Sequence, residues 1–209
     1  KNIAITSGAQ TAFFFLFNIL AGEFVNGQKK KILLPLAPEY IGYANQGITQ
    51  DIFTAQPAII EEKGRNRFKY HVDFEQLKIC NEIAAICVSR PTNPSGNVLT
   101  DQEINQLSEI SRSKKIPLII DNAYGNPFPG VIFTEATPIW DEHIILTLSL
   151  SKLGLPGTRT GIVIGSEKII SSVTAANAVE EGMSTGGPNN WQSEFCGGTP
   201  PNSAAAQNS

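Results

Sequence analysis

The sequence has little of what marks metal sites, disulfide frameworks, nucleic-acid surfaces or membrane spans. It has two histidines and three cysteines in 209 residues, and Cys80, Cys87 and Cys196 lack the even number and the spacing that disulfide or zinc sites require. The 16 Lys and Arg residues nearly balance 19 Asp and Glu residues, for a formal net charge of −3, so no basic excess favours nucleic acid. The densest apolar run, 12–21, is interrupted by Asn18 and is about half of the ~20 residues that a membrane helix needs.

The composition is typical of one soluble domain. Hydrophobic residues make up 41% and charged residues 17% of the chain, which is enough for one packed core and short for two. No secretory signal precedes the first strand-like segment, and the chain does not begin with Met. We therefore expect an excised part of a cytoplasmic protein.

Short, continuously apolar runs alternate with segments of helical period. The runs predict strands covered on both faces at 31–36, 84–89, 117–120, 144–148 and 160–164. Helices are predicted over Asp101–Lys114, where Thr100 and Glu103 can form a capping box, over 74–78 and over 167–178. This order predicts a three-layer α/β/α domain with a mainly parallel sheet.

The end of the chain departs from this pattern. From about Glu180 it is polar and rich in Gly, Pro, Ser and Asn, with Met183, Trp191 and Phe195 as its only sizeable apolar side chains. Such a segment buries too little surface to offset its loss of conformational entropy. We expect a folded domain over 1–178 and a polar tail over 179–209 that is disordered or non-native.

Polar side chains follow the predicted strands at their carboxyl ends, where ligands bind to parallel α/β sheets. A further polar segment near the start of the chain leads directly into a helix. In chain order the candidates are Gly8, Ala9 and Gln10 before the helix, Tyr40 and Asn93 after the first two strands, Asp121 and Tyr124 after the third, and Ser149, Lys152 and Arg159 after the fourth.

This set of groups suits a phosphorylated aromatic aldehyde. The helix amino terminus after Gly8 would bind the phosphate together with the Ser149 hydroxyl and the Arg159 guanidinium. Lys152 would hold the aldehyde as an imine. Asp121 would keep a pyridine nitrogen protonated, so that the ring withdraws electrons.

The remaining candidates would contact the ring of such a ligand. Asn93 and Tyr124 can hydrogen-bond a ring hydroxyl, and Tyr40 can stack on the ring, although Tyr43 is also available. The apolar strand that ends at Asp121 also resembles the acidic strand of a P-loop nucleotidase. Such a protein needs a Gly-x-x-x-x-Gly-Lys-Ser/Thr loop, and the nearest segment, 22–29, lacks that residue order and the hydroxyl. The two histidines, His71 and His143, are interpreted as structural or surface residues.

Five sequence blocks with these candidates occur together in a fixed order. They are Ser7-Gly-Ala-Gln, Pro38-Glu-Tyr-Ile-Gly-Tyr, Arg90-Pro-Thr-Asn-Pro-Ser-Gly, Asp121-Asn-Ala-Tyr and Ser149-Leu-Ser-Lys-Leu-Gly-Leu-Pro-Gly-Thr-Arg-Thr-Gly. By these blocks, residues 1–178 resemble the class I/II aminotransferases, in the large domain of the fold-type I pyridoxal-phosphate superfamily. The longer segment 121–133, together with 149–157, is most similar to the valine–pyruvate branch of that family.

The resemblance implies pyridoxal 5'-phosphate as the cofactor and a role for each matching residue. Lys152 matches the lysine that binds the cofactor and moves a proton, and Asp121 matches the partner of the ring nitrogen. The other matches are Gly8, Ala9, Gln10, Ser149 and Arg159 for the phosphate, Asn93 and Tyr124 for the ring oxygen, and Tyr40 for stacking.

The implied reaction is reversible amino transfer between L-valine, or a similar aliphatic amino acid, and pyruvate, giving a 2-oxo acid and L-alanine. Related enzymes use the same residues as C–S lyases or cyclising lyases, and related domains act as non-catalytic regulators. The resemblance also implies a homodimer for the full-length parent, with amino acids and 2-oxo acids as the only expected partners. We expect this fragment to lack the amino-terminal arm and the small domain with the substrate-binding arginine, and we nominate none of Arg65, Arg67, Arg90 and Arg112 in its place.

Overall fold

The computed structural model describes residues 2–125, 134 and 136–184, the last five of them by their backbone only. By compactness the chain divides into Lys1–Thr174 and Ala175–Ser209. The first unit contains all the strands described below and the first two helices. The second unit is described only through the last turns of the third helix.

Within these residues the chain forms ten strands and three α-helices. The strands are β1 Ile3–Thr6, β2 Gly22–Glu23, β3 Lys29–Ala37, β4 Phe53–Pro57, β5 Ile59–Glu62, β6 Phe68–His71, β7 Ile83–Ser89, β8 Leu118–Asp121, β9 Ile144–Ser149 and β10 Gly161–Ile164. The helices are α1 Ala9–Leu20, α2 Asp101–Lys114 and α3 Glu167–Ser184, and short 3-10 turns cover Ile41–Asn45, Leu150–Leu153 and Pro156–Thr158.

One mixed sheet forms the centre of the first unit. Its strands are hydrogen-bonded in the order β1-β10-β9-β8-β7-β3, and both β2 and β4 pair with β3. The strands β9, β8, β7, β3 and β4 are parallel to one another. Strand β10 is antiparallel to β9 and to β1, and β2 is antiparallel to β3. The predicted α/β class with a mainly parallel sheet is confirmed.

Helices cover both faces of this sheet. Ile86 of β7 belongs to a buried cluster with Leu107 of α2. Cys87, the next residue of β7, lies within hydrogen-bonding reach of Tyr43, whose ring packs edge-on against Phe17 of α1. Because successive strand residues point to opposite faces, α1 and α2 lie on opposite sides of the sheet in the expected three layers.

The register of the strands aligns the residues that end them. Ser89, the last residue of β7, pairs with Asp121, the last residue of β8. Ser149 at the end of β9 pairs with Gly161 at the start of the antiparallel β10. The connection 150–160 therefore leaves the sheet and returns to it at the same rung.

The predicted strands are present as β3, β7, β8, β9 and β10, and α2 begins as the capping box predicts. Glu103 N–H donates to Thr100 Oγ1 at 3.2 Å, and Thr100 N–H donates to Glu103 Oε2 at 2.8 Å. Helix α3 begins at Glu167 as predicted but continues past residue 178 to Ser184, a stretch in which Glu180, Glu181 and Met183 are good helix formers. The rest of the predicted tail, 185–209, lies outside the described residues. None of the helices in the described part of the chain is long and apolar enough to span a bilayer.

The helix predicted over 74–78 is wrong. The segment forms one turn, in which Gln76 N–H donates to Asp73 Oδ1 at 3.1 Å. Phe74, Leu77 and Ile79 all pack against the buried cluster between α2 and the sheet. Phe74 and Ile79 are five positions apart and would not share one face of a helix. The observed backbone therefore packs a set of side chains against the cluster that a single helix face would not.

Candidate active site

A pocket of about 230 Å³ opens at the carboxyl ends of β7, β8 and β9, beside the amino terminus of α1. Every site residue predicted from the sequence lines this pocket except Gly8, which directly precedes α1. The lining residues are Ala9, Gln10, Phe13, Tyr40, Ser89, Pro91, Asn93, Asp121, Ala123, Tyr124, Ser149, Ser151, Lys152 and Arg159.

The amino terminus of α1 forms a positively polarised wall of the pocket. Gly8 precedes the helix with φ of 101°, and no side chain caps the first turn. A Cβ atom on Gly8 would lie 3.0 Å from Nη2 of Arg159, and one on Gly161 would lie 2.7 Å from the Ala9 nitrogen. The two glycines thus let the helix terminus, the guanidinium and β10 approach one another, and this combination attracts an anion.

We expect Gly161→Ala to lower the free energy of unfolding by about 1–3 kcal/mol, as overpacking does in a packed interior. The new Cβ would lie 2.5 Å from the carbonyl carbon of Gly8, so the start of α1 must move. Gly165→Ala is the matched control, because its Cβ would meet no atom closer than 3.7 Å. Urea denaturation measures both variants, and equal losses would contradict the close approach at Gly161.

Asp121 supplies a buried carboxyl group at the floor of the pocket. It is 7% exposed, its Oδ1 accepts from Ala123 N–H at 3.0 Å, and its Oδ2 accepts from the Tyr43 hydroxyl at 2.8 Å. Burial raises the pKa of this carboxyl above its ordinary value, and the two hydrogen bonds act in the opposite direction. No salt bridge among the described residues joins a cation to it, so the carboxylate is positioned to pair with a cationic group of a ligand.

Tyr43, which the sequence leaves open as an alternative to Tyr40, is buried next to the site. It is 1% exposed and lies beneath the pocket, where its hydroxyl contacts Ser89 Oγ and Asp121 Oδ2, each at 2.8 Å. Its ring packs against Phe13 and Tyr40 and offers no face to a ligand. Burial raises the pKa of the Tyr43 phenol well above its ordinary value. The feature of the sequence that could have identified Tyr43 as a site residue is its place as the second tyrosine of the Pro-Glu-Tyr-Ile-Gly-Tyr block.

Of the two tyrosines in this block, Tyr40 is the one that lines the pocket. Its hydroxyl accepts from Gln10 Nε2 at 3.3 Å, and its ring meets the ring of Tyr43 edge-on with centroids 5.3 Å apart. A Cβ on Gly42 would lie 2.6 Å from the Tyr40 hydroxyl oxygen. The absence of a side chain at Gly42 therefore makes room for the ring of Tyr40.

Lys152 and Ser149 lie on the connection between β9 and β10. The Lys152 amine lies 4.7 Å from the centroid of the Tyr124 ring, which is within the range of a cation–π contact. The Ser149 hydroxyl oxygen accepts from Ser151 N–H at 3.3 Å, so its own O–H can donate to a ligand. This connection thus brings an amine and a hydroxyl donor to the same pocket.

A buried arginine holds the loop that carries Asn93. Arg90 is 5% exposed, its Nε donates to the Leu99 carbonyl at 2.8 Å, and its Nη1 donates to the Thr137 carbonyl at 2.9 Å. Its Nη2 forms an ion pair with Asp101. Because the guanidinium is used within the fold, Arg90 supports the loop and is not available to a ligand.

Because Asp101 pairs with Arg90, we predict that its ionisation makes the stability of the fold depend on pH. Hydrogen bonds from the Thr137 hydroxyl, from Arg90 and from Thr137 N–H lower the pKa of Asp101 from 3.8 to about 2. A carboxyl whose pKa is lower in the folded state stabilises the fold fully above its unfolded pKa and loses that contribution as the pH falls through about 2. We expect the urea midpoint of the wild type to fall more steeply than that of Asp101→Asn between about pH 4 and pH 2.

The control for that comparison is Glu62→Gln, at an exposed carboxylate of β5. Because other carboxyl groups also titrate in this range, only the difference between each variant and the wild type is informative. Parallel midpoint curves for the wild type and Asp101→Asn would contradict the role given to Asp101.

Neither histidine belongs to the pocket. His71 bridges two glutamates away from it. His143 Nε2 lies 2.9 Å from Ser108 Oγ, and Nδ1 lies 3.7 Å from Asp141, an order of side chains also found in hydrolytic triads. Ser108 is 5% exposed within α2, so its hydroxyl does not reach a substrate, and the contact is structural. Among the described residues no group of three His, Cys, Asp or Glu side chains could hold a metal ion.

The sheet and the pocket together define a class of protein, the α/β domains with a ligand-sized pocket at the carboxyl ends of a mainly parallel sheet. Within that class the chain belongs to the family of class I and II aminotransferases, whose sequence model matches residues 52–183. The family resemblance inferred from the sequence blocks is therefore confirmed.

Individual relatives share the same fold and differ in how similar they are. The chain is 56% identical over 179 residues to valine–pyruvate aminotransferase of Escherichia coli K12. The match covers 86% of this chain and 43% of that protein. It is 27% identical to an aspartate aminotransferase of Bacillus subtilis, over 83% of this chain and 43% of that protein. The chain thus spans less than half the length of these relatives.

Solved structures agree with these similarities. The crystal structure of valine–pyruvate aminotransferase from Salmonella typhimurium LT2 matches with a TM-score of 0.79 and 53% identity, covering 86% of this chain and 44% of that one. A structure described as a putative amino-acid aminotransferase, from Psychrobacter arcticum, matches with a TM-score of 0.81 and 52% identity, covering 85% of this chain and 43% of that one.

Pyridoxal 5'-phosphate is the cofactor of this family, and the chemistry of the pocket fits it. The pocket contains an amine for an aldehyde at Lys152 and a buried carboxyl for a ring nitrogen at Asp121. It also contains an anion-binding helix terminus with the Arg159 guanidinium nearby. The donors and acceptors therefore match the cofactor in kind and in charge.

Proposed function

We propose that this chain forms the cofactor-binding part of an aminotransferase that transfers an amino group between L-valine, or a similar aliphatic amino acid, and pyruvate. The products are a 2-oxo acid and L-alanine. The observation that carries the proposal is that Lys152, Asp121 and Arg159 line a single pocket. Asp121 ends β8, whereas Lys152 and Arg159 lie on the connection between β9 and β10, so their convergence is a property of the fold.

Each wall of the pocket is assigned one part of the cofactor. The amino terminus of α1, with Gly8, Ala9 and Gln10, would bind the phosphate together with Ser149 and Arg159. In the same proposal Asn93 and Tyr124 would bind the ring oxygen, and Tyr40 would cover a face of the ring.

Two side chains carry the chemistry of the proposed reaction. When bound, the cofactor withdraws electrons from the α-carbon of the amino-acid substrate. Asp121 holds a proton on the ring nitrogen through its charge and thereby maintains that withdrawal. Lys152 would hold the cofactor through its aldehyde, and the Lys152 Nζ would take the proton from the α-carbon of the substrate.

The choice of substrate is supported by similarity. The 56% identity to a protein named valine–pyruvate aminotransferase is about twice the 27% identity to a named aspartate aminotransferase. Among the described lining residues the cationic side chains are Lys152 and Arg159, and the proposal assigns both of them to the cofactor.

A substrate panel tests this proposal. The protein is incubated with pyridoxal phosphate, pyruvate and a series of amino acids, and alanine formation is measured. We expect valine and similar aliphatic amino acids to support alanine formation better than aspartate does. Release of ammonia without alanine would instead indicate a lyase, and cofactor binding without turnover of any amino acid would indicate a non-catalytic sensor.

The proposal includes a homodimer that acts in the cytoplasm, as the family resemblance implies. Sedimentation of the purified protein at several concentrations tests the oligomeric state. A species of monomer mass at every concentration would contradict this part of the proposal.

A further inference from the structure

The carboxyl group of Glu39 joins the chain that follows β3 to the end of β7. Its Oε1 accepts from the N–H of Tyr40 at 2.8 Å, and its Oε2 accepts from the N–H of Ser89 at 2.9 Å. The ladder between β3 and β7 ends at the pair Leu33 and Ile86, before the strand reaches Ser89. The Glu39 side chain thus provides an acceptor for an amide of β7 beyond the last paired rung.

The same residue of β7 also holds the far end of the segment 39–43. Ser89 Oγ lies 2.8 Å from the Tyr43 hydroxyl oxygen, and Tyr43 N–H donates to the Tyr40 carbonyl at 3.2 Å. The segment is therefore attached to Ser89 twice, by the side chain of its first residue and by that of its last. Attachment at both ends restricts the backbone between them, which is how a supporting shell fixes a site residue.

Tyr40 lies between these two attachments and lines the pocket. Its ring meets the ring of Tyr43 edge-on with centroids 5.3 Å apart, and its hydroxyl accepts from Gln10 Nε2 at 3.3 Å. These contacts limit the ring, whereas Glu39 holds the backbone N–H of the residue that carries it. Loss of the Glu39 bonds would therefore release the backbone from which the Tyr40 ring extends.

We propose that Glu39 is a positioning residue that holds the Tyr40 ring at the pocket by joining the amides of Tyr40 and Ser89. Both carboxyl oxygens act as acceptors in this role, so a side chain with one acceptor oxygen makes only one of the two bonds. Glu39 is not a lining residue of the pocket and acts through Tyr40. The consequence for the cofactor, which rests on the proposed function, is that Glu39 sets where Tyr40 covers the ring.

The variant Glu39→Gln tests this proposal in the ligand-free 209-residue protein. Its amide has one acceptor oxygen, and its NH₂ group would face a backbone N–H at the other position. In protein with carbon-13 in its tyrosines, the Tyr40 ring signals are identified by their absence in Tyr40→Phe. We expect them to move in Glu39→Gln while those of Tyr70 stay in place. The control Glu62→Gln, at an exposed carboxylate of β5, should leave the Tyr40 signals unmoved. Unmoved Tyr40 signals in folded Glu39→Gln would overturn the proposal.

A measurement on the unsubstituted protein keeps the test decisive if Glu39→Gln fails to fold, as judged by circular dichroism. Because one carboxyl group binds the amides of Tyr40 and Ser89, the amide proton shifts of both residues should follow a single protonation. Burial raises the pKa of Glu39 above its ordinary value, so we expect the common midpoint above that of an exposed glutamate. Different midpoints for the two amides, or no change with pH in either, would contradict the shared carboxyl group.

A double-mutant cycle on cofactor affinity tests whether Glu39 acts through Tyr40. We expect Glu39→Gln to weaken binding of pyridoxal phosphate by roughly 3- to 10-fold, the range of one aromatic ring contact. In the Tyr40→Ala background the same substitution should change the affinity by less than about 2-fold. An equal loss in both backgrounds would show that Glu39 acts by another route and would overturn its role towards Tyr40.

The outcome is separable from that of the proposed function. Failure of the protein to bind pyridoxal phosphate would overturn the proposed function while leaving the ring and amide signals of the ligand-free protein as the test of Glu39. Unmoved Tyr40 signals together with normal cofactor binding would remove the role of Glu39 while leaving the proposed function intact.

Discussion

The Lys152→Ala variant is expected to lose the visible absorption band of bound pyridoxal phosphate and about 10⁴-fold or more of its transamination rate. Lys152 is the only lysine that lines the pocket in the described part of the chain. Its amine serves both to hold the cofactor and to move the substrate proton, and alanine replaces neither role. Loss of general base catalysis alone accounts for roughly 10²–10⁴-fold.

Absorption spectra and alanine formation measure the two effects separately. Lys78→Ala is the control, because Lys78 is exposed and lies outside the pocket. Borohydride reduction followed by peptide mapping identifies the lysine that carries the cofactor. Attachment to any lysine other than Lys152 would show that the assignment is wrong.

Asp121→Asn is expected to lower transamination by roughly 10³-fold while reducing cofactor affinity much less. Two charges about 4 Å apart interact by about 4 kcal/mol at an effective dielectric constant of about 20, which equals about three orders of magnitude in rate. The carboxylate is buried and receives only two hydrogen bonds, so its charge is poorly screened. Asparagine retains the shape and loses the charge.

Titration with pyridoxal phosphate and measurement of alanine formation distinguish affinity from rate in this variant. Asp73→Asn is a suitable control, because Asp73 lies away from the pocket and its amide oxygen can still accept from Gln76 N–H. Equal losses of cofactor affinity and of rate in Asp121→Asn would contradict the proposed effect on the ring nitrogen.

The sequence was sufficient to predict which strands carry the candidate site. Asp121 and Ser149 each end an apolar run that is buried on both faces. The end of each apolar run is therefore enough to place these residues at the carboxyl edge of the sheet. The strands β5 and β6 could not be predicted in this way. Their residues are mostly exposed, and an exposed hairpin lacks the continuous apolar pattern of a central strand.

The roles of the two tyrosines could not be separated from the sequence. Tyr40 and Tyr43 lie in the same block, and either could face a ligand. The observed choice depends on the turn Ile41–Asn45, on the space above Gly42 and on the hydrogen bond between Tyr43 and a residue 78 positions later. Contacts between distant residues depend on the strand register, which residue type and spacing alone do not specify.

The connection 150–160 leaves β9 and enters β10 at one rung of the sheet, between Ser149 and Gly161. Lys152 lies near its start and Arg159 near its end, so one short loop with fixed ends carries both the amine and the guanidinium of the pocket. The length of this loop therefore sets the distance between the amine and the guanidinium, and with it the size of a molecule that both groups can hold. Inserting or deleting a residue between Lys152 and Arg159 would change that distance and weaken binding of the ligand, even if every side chain of the pocket were kept.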